Sequence, residues 1–394
     1  MIHRESGPSD RVVLVTDQDA DYGPDRPSHR LAYLVSANDI LYLRDNVAMV
    51  TAAQVLDFKA LPKIELHAHL SGSISRQCLH EVWLRKKEAG ETDLADPLVE
   101  MPVGKHDYDL KTFFPLFSSY IYHMVDSPWT LTYTTTSVLQ GFAHDGVVYL
   151  ELRTTPRAMP KAGLSKSQYV ATILAAISAF EASSTSLRTR LILSIDRRNS
   201  LEEALEVVEL CREFQGRGVV GLDLCGDPKK GGIEALTPAF EKARRDLPDL
   251  GLTLHFAEAE YSGTNEELNM LLDWRPDRIG HVIHLGGTIR ERILKMGGLG
   301  LELCLSCNVH AQMITGGFEA HHFREWWKVK ECVIALSTDD IGVFGSPLSN
   351  EYALVAKHFG LSRREICDLA KGTIQVIFGS EEDKEWLRSV MWTE

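Results

Sequence analysis

This chain predicts an α/β protein, a (β/α)8 barrel with extra helices after the first strand, and three observations carry that prediction. Eight apolar runs of strand length recur over about 330 residues, helical patterns separate them, and several runs are nearly continuous in Ile, Leu and Val. Unbroken apolar runs mark parallel strands covered on both faces, as in Leu191-Ile192-Leu193-Ser194-Ile195. A doubly wound open sheet is the alternative that the same alternation allows.

In chain order the expected strands are Lys63 to Leu70, Val147 to Thr154, Arg190 to Asp196, Val219 to Cys225, Leu252 to Ala257, Arg278 to Ile283, Gly300 to Leu305 and Val333 to Thr338. Each ends near polar residues or glycine, where a strand gives way to a loop. The intervening helices announce their starts. Ser200 and Glu203 form a capping box, and Leu201, Ala204, Leu205, Val208 and Cys211 then make one apolar stripe. Thr264 with Glu267, and Ser362 with Glu365, repeat the signature. The stretch from Ser71 to Tyr133 is longer than one crossover helix needs, so it is expected to add helices over the pocket.

Residues 1–55 differ in texture, with Gly-Pro, Asp-Arg-Pro and mixed charge, and read as an N-terminal extension, partly disordered, outside a single barrel domain spanning 56–394. Within it only Leu31 to Leu43 is apolar enough to pack against the barrel. A net charge of −13 argues against a nucleic-acid polymer as partner, which would need a clustered basic face. No run reaches the roughly 18 apolar residues of a membrane helix and the start is too polar for a signal peptide, so the expected compartment is the cytoplasm. The expected state is a monomer. Seven scattered cysteines fit reduced thiols, including the Cys304 and Cys307 pair, which reads as ordinary buried thiols.

In a barrel of this kind the active site lies at the carboxyl ends of the strands, and four pieces fall there. His67 and His69, two apart on one strand, point to one face and can reach one metal ion. His255 ends the fifth strand and Asp339 ends the eighth, adding a third imidazole and a hard oxygen. Such an open site suits zinc, which brings the pKa of bound water to about 7. Glu258 can face the same pocket as a general acid, or be a solvated loop carboxylate. His281 is placed to orient that water or take its proton, and His284 is its structural competitor, deeper or on the far side. Asp340 can contact substrate only if the chain turns after Asp339; otherwise it lies in a solvated turn.

With these residues in view, the chain from about Leu61 onward resembles the adenosine deaminase family. The segments Leu61 to Leu70, Arg278-Ile279-Gly280-His281 and Ser337-Thr338-Asp339-Asp340 are similar to its signatures. The resemblance implies a TIM barrel of the metal-dependent hydrolase type, hydrolytic deamination at purine C6, and one Zn2+ per chain on His67, His69, His255 and Asp339. It implies that Glu258 protonates N1, His281 assists the water, Asp340 holds N7, and the Gly226 amide meets N3. Where adenosine deaminases carry Asp after His-Leu and adenine deaminases Glu, this chain has Ser71, which removes repulsion against a phosphate. Thr154, Thr155 and Arg157 add two hydroxyls and a guanidinium. That pattern resembles the adenosine deaminase-like subgroup, which converts N6-methyl-AMP to IMP and methylamine. His69, Ser71, Thr154, Thr155, Pro156, Arg157, Asp196 and Gly226 would then line a nucleoside monophosphate site, with His123 a further contact from the inserted helices. Asp196 is either a holder of ribose hydroxyls or an Arg-paired structural carboxylate. Val282 replaces the family's usual glycine after the signature histidine. The alternatives are an adenosine or adenine deaminase, or a catalytically silent nucleotide-binding relative.

Overall fold

The computed structural model describes residues 56–394, apart from 103, 184–185, 230–231 and 394, together with the antiparallel strand pair Ile40–Leu41 and Val50–Thr51. The rest of the N-terminal extension, including residues 31–39 and 42–43 of the apolar stretch, lies outside the described residues. Among the described residues no helix is long and apolar enough to cross a membrane.

Eight parallel strands build the barrel: β1 (Lys63–His69), β2 (Val147–Thr154), β3 (Arg188–Asp196), β4 (Val219–Cys225), β5 (Gly251–Phe256), β6 (Arg278–His281), β7 (Leu299–Leu303) and β8 (Cys332–Leu336). They pair in chain order from β1 to β8, which removes the doubly wound alternative. Closure between the last strand and the first comes just past the end of β8. Asp339 N–H donates to the His67 carbonyl at 2.7 Å, and His69 N–H donates to the Asp339 carbonyl at 3.0 Å. The barrel is therefore sealed at the candidate metal site.

The interior carries charge as well as hydrocarbon. Glu65, Glu151, Arg153, Asp223, Arg278 and Glu302 are fully buried, and salt bridges link five of them. Arg153 reaches Asp223 at 3.2 Å and Glu302 at 2.8 Å, and Arg278 reaches Glu151 and Glu302, each at 2.7 Å. Removing one member of such a network leaves a buried charge uncompensated, at about 3–5 kcal/mol.

The helix Leu201–Phe214 starts with the expected Ser200 and Glu203 box, but its buried face is Ala204, Val207, Val208, Leu210, Cys211 and Phe214. Leu201 and Leu205 are only half-buried, at the margin of that face. Ser362 and Glu365 form their box too. Thr264 caps Glu267 N–H, but the Glu267 carboxylate turns away to pair with Arg197 at 2.7 Å. Between β1 and β2 the extra helices are present, among them Arg76–Glu88, Leu110–Leu116, the π-helical turn Phe117–Ile121 and Tyr122–Met124.

Candidate active site

The strand ends deliver the functional side chains through strained backbone. Ala257, His281, Val282 and Asp339 have φ of 52°, 66°, 59° and 62°, in the left-handed region where non-glycine residues are uncommon. Each costs on the order of 1–3 kcal/mol, and such strain concentrates at functional sites. Left-handed Ala257 precedes Glu258, and left-handed Asp339 precedes Asp340; the turn lets both Asp339 and Asp340 face the same cavity. Val282, β-branched, is held there by its N–H bond to the Phe256 carbonyl at 3.0 Å, and the His322 ring donates to the His281 carbonyl at 2.6 Å.

His67, His69, His255 and Asp339 converge, with one potential ligand atom from each within 4.8 Å of the others. The Nε2 atoms of His69 and His255 are 3.1 Å apart, and Asp339 Oδ1 lies 3.5 Å from His67 Nε2 and 3.3 Å from His69 Nε2. His67 Nε2 is buried without a hydrogen-bond partner among the described residues. An orphaned imidazole nitrogen facing two others and a carboxylate fits a divalent cation. The far sides of the rings are anchored, His67 Nδ1 on Glu302 at 2.7 Å and His255 Nδ1 on the Leu224 carbonyl at 2.8 Å with Asp223 at 3.1 Å. This fixes ring orientation for ligation. Burial and Arg153 oppose charge on His67, but Asp339 and Glu302 outweigh them and push its pKa up to about 9. The Cys307 thiol donates to Asp339 Oδ2 at 2.9 Å, so this cysteine supports the carboxylate rather than merely filling the core. All seven cysteines are free.

Glu258 is buried, which pushes its carboxyl up to about 7, with His255 opposing. The solvated-loop alternative is thereby removed. His281 Nε2 has no hydrogen-bond partner among the described residues and lies 3.9 Å from Glu258 and 3.8 Å from Asp339. His284 is half-buried and lines a second cavity, in whose wall Glu258 also stands. Burial and the neighbouring Asp339 hold the Asp340 carboxyl well above its ordinary value, and its Oδ1 has no hydrogen-bond partner among the described residues. Gly72 makes room for it: a Cβ there would meet Asp340 Oδ1 at 1.3 Å.

These groups open onto a cavity whose lining includes His69, Ser71, Thr154, Thr155, Arg157, Asp196, Gly226, His255, Glu258, Asp339 and Asp340. Asp196 is the Arg-paired carboxylate, gripped by Arg198 at 2.6 Å, and it also faces the cavity. Arg157 also lines the cavity, while its guanidinium donates to the carbonyls of Tyr122 and Val125 and lies 4.7 Å over the Tyr122 ring. Two expected contacts are absent from the lining, Pro156 and His123. Pro156 is buried beside it, and His123 is exposed. The π-helical turn before it sets the phase of Tyr122–Met124 so that Tyr122 faces inward instead. Sequence reasoning also missed Arg198, two residues beyond Asp196, and the aromatic wall of Phe113, Phe114 and Phe117, whose only signal was a cluster of rings in the inserted segment.

Residues 62–393 match the family model of adenosine deaminase. The chain is 36% identical over 353 residues to N6-mAMP deaminase of Arabidopsis thaliana, covering 84% of this chain and 96% of that protein. It is 35% identical to the N6-Methyl-AMP deaminase of Homo sapiens, covering 84% and 92%. The crystal structure of arabidopsis ADAL complexed with IMP superimposes with a TM-score of 0.76 at 36% identity, over 84% of this chain and 96% of that one. The chain is a deaminase, a hydrolase of C–N bonds, and it belongs to the adenosine deaminase family.

Proposed function

We propose that this enzyme hydrolyses N6-methyl-AMP to IMP and methylamine with one zinc ion per chain. The observation that carries the nucleotide preference is Ser71 in the same cavity as Thr154, Thr155 and Arg157, where a carboxylate would repel a phosphate monoester. The names of the relatives, and the IMP held by the arabidopsis protein, support the same reading.

His67, His69, His255 and Asp339 would hold the zinc, three nitrogens and one oxygen from rings and a carboxylate already oriented. When bound, zinc polarises water so that hydroxide is available near neutral pH. The chain's own groups do the rest. Glu258, with its carboxyl near 7, holds a proton for N1 and draws electron density from C6. Asp340, kept protonated by burial beside Asp339, donates to N7, an acceptor. The Gly226 amide approaches N3, at a position with φ 102° where an added Cβ would meet Asp196 at 2.6 Å. His281 orients the attacking water, whose oxygen bonds to C6. The C6–N6 bond breaks and methylamine leaves with one proton of the water, while the other returns to Glu258, so that C6 becomes the carbonyl of IMP and N1 keeps the proton Glu258 gave.

Incubating the purified protein with N6-methyl-AMP, AMP, adenosine and adenine tests this. Fastest turnover is expected on N6-methyl-AMP, and preference for adenosine over both monophosphates overturns the nucleotide reading.

A further inference from the structure

His281 is one end of a hydrogen-bonded chain that reaches a backbone amide. Phe323 N–H donates to His321 Nδ1 at 3.0 Å. His321 Nε2 lies 3.1 Å from Asn308 Oδ1, and Asn308 Nδ2 lies 3.0 Å from His281 Nδ1. His281, Asn308, His321 and Phe323 are each no more than 1% exposed. We infer that Asn308 and His321 are positioning residues that set which ring nitrogen of His281 carries its hydrogen, leaving Nε2–H aimed at the reacting water.

The polarity follows from its anchor. A backbone N–H can only donate, so His321 Nδ1 accepts. Burial holds His321 neutral, so its one hydrogen sits on Nε2 and goes to Asn308 Oδ1. That orients the amide. Its NH2 faces His281 Nδ1 and the weakly accepting sulfur of Met313 at 3.5 Å. His281 Nδ1 must therefore accept, since the opposite tautomer would set two N–H groups against each other at 3.0 Å. The hydrogen of His281 is left on Nε2, the atom without a hydrogen-bond partner among the described residues.

The consequence is mechanistic and rests on the reading of His281 given above. A neutral His281 with Nε2–H donates a hydrogen bond to the attacking oxygen. It orients that oxygen and is not the group that takes its proton. The segment His321 to Phe323 grips His281 twice, through this chain and through the His322 bond to the His281 carbonyl.

The test reads the tautomer directly in the full chain, with and without zinc. Long-range 1H–15N correlation of 15N-histidine-labelled protein, with the His281 ring identified by its loss in His281→Gln, should show Nδ1 bare and Nε2 protonated. Hydrogen on Nδ1 in the wild type overturns the inference whatever the substrate proves to be, and a wild-type tautomer as inferred with no turnover of any purine overturns only the functional reading. Asn308→Asp keeps the shape but only accepts, so it should move the hydrogen to Nδ1 and lower kcat by about 100-fold or more with KM nearly unchanged, since a wrong imidazole tautomer costs up to about 10⁴-fold elsewhere. His321→Gln preserves both an acceptor and a donor and should keep the wild-type tautomer, whereas His321→Glu should reverse it. Should Asn308→Asp fail to fold, the His321 pair decides. Equal kcat and equal tautomer in Gln and Glu variants overturns the inference.

Discussion

His67 Nδ1 lies 2.7 Å from Glu302 Oε2, and this contact joins the first candidate ligand to the charge network inside the barrel. Arg153 and Arg278 hold the Glu302 carboxyl well below its ordinary value against the opposing effect of burial, so the carboxylate accepts and His67 Nδ1–H donates. The same carboxylate also accepts from Thr253 at 2.8 Å. His67 Nε2 is thereby left facing the other ligands.

Glu302→Gln should weaken zinc binding about 10- to 100-fold, the usual consequence of losing the partner behind a ligating histidine. It should also lower stability by about 3–5 kcal/mol, since two buried guanidinium groups lose part of their counter-charge. Zinc titration against a competing chelator and urea denaturation measure the two effects. Unchanged zinc affinity with reduced stability would assign Glu302 to the network alone.

Gly280→Ala should damage the same ligand by crowding. An added Cβ would stand 2.7 Å from His67 Cε1 and 2.8 Å from Nδ1, and the ring has no freedom to retreat while Glu302 holds it. Zinc content after dialysis should fall well below one ion per chain, at little change in helix content by circular dichroism. Full zinc occupancy would mean that β6 shifts to make room.

The strands were legible because buried parallel strands read as unbroken apolar runs. Expected β2 and β4 coincide with the observed ones, and β5 is displaced by a single residue. The His67 and His69 spacing was equally legible, since period two places both rings on one face. Asn308 and Glu302 were not, because a polar residue in an apolar run says nothing about its partner; only the barrel topology brings Glu302 of β7 to His67 of β1. Tyr122, rather than the expected His123, lines the cavity, and the π-helical turn that precedes it carries no pattern in the sequence.

Arg157→Ala separates two uses of one guanidinium. If it binds phosphate, kcat/KM for N6-methyl-AMP should fall about 100-fold relative to any nucleoside, the size of one or two charge-assisted hydrogen bonds. If its bonds to the Tyr122 and Val125 carbonyls matter more, nucleotide and nucleoside turnover should fall together, because the inserted helices would loosen over both.

Glu258 makes opposite predictions for activity and stability. Its carboxyl, raised to about 7 chiefly by burial, is protonated below that value, so kcat/KM should fall about tenfold per pH unit above it as the acid is lost. A bound cation pulls the midpoint lower and leaves the sign. Glu258→Gln should lower kcat by about 10²- to 10⁴-fold and abolish that limb. In the zinc-free protein the folded carboxyl titrates near 7 and the unfolded one near 4.5, so the folded state binds more protons between these values and stability falls as pH rises through the interval. The loss is complete above about 7 and is roughly 3 kcal/mol from the size of the shift. Glu258→Gln has no charge to bury, so urea unfolding at pH 8 should find it more stable than wild type, while at pH 4 the two should agree. A variant less stable at both pH values would show that Glu258 is held by packing contacts the amide cannot reproduce.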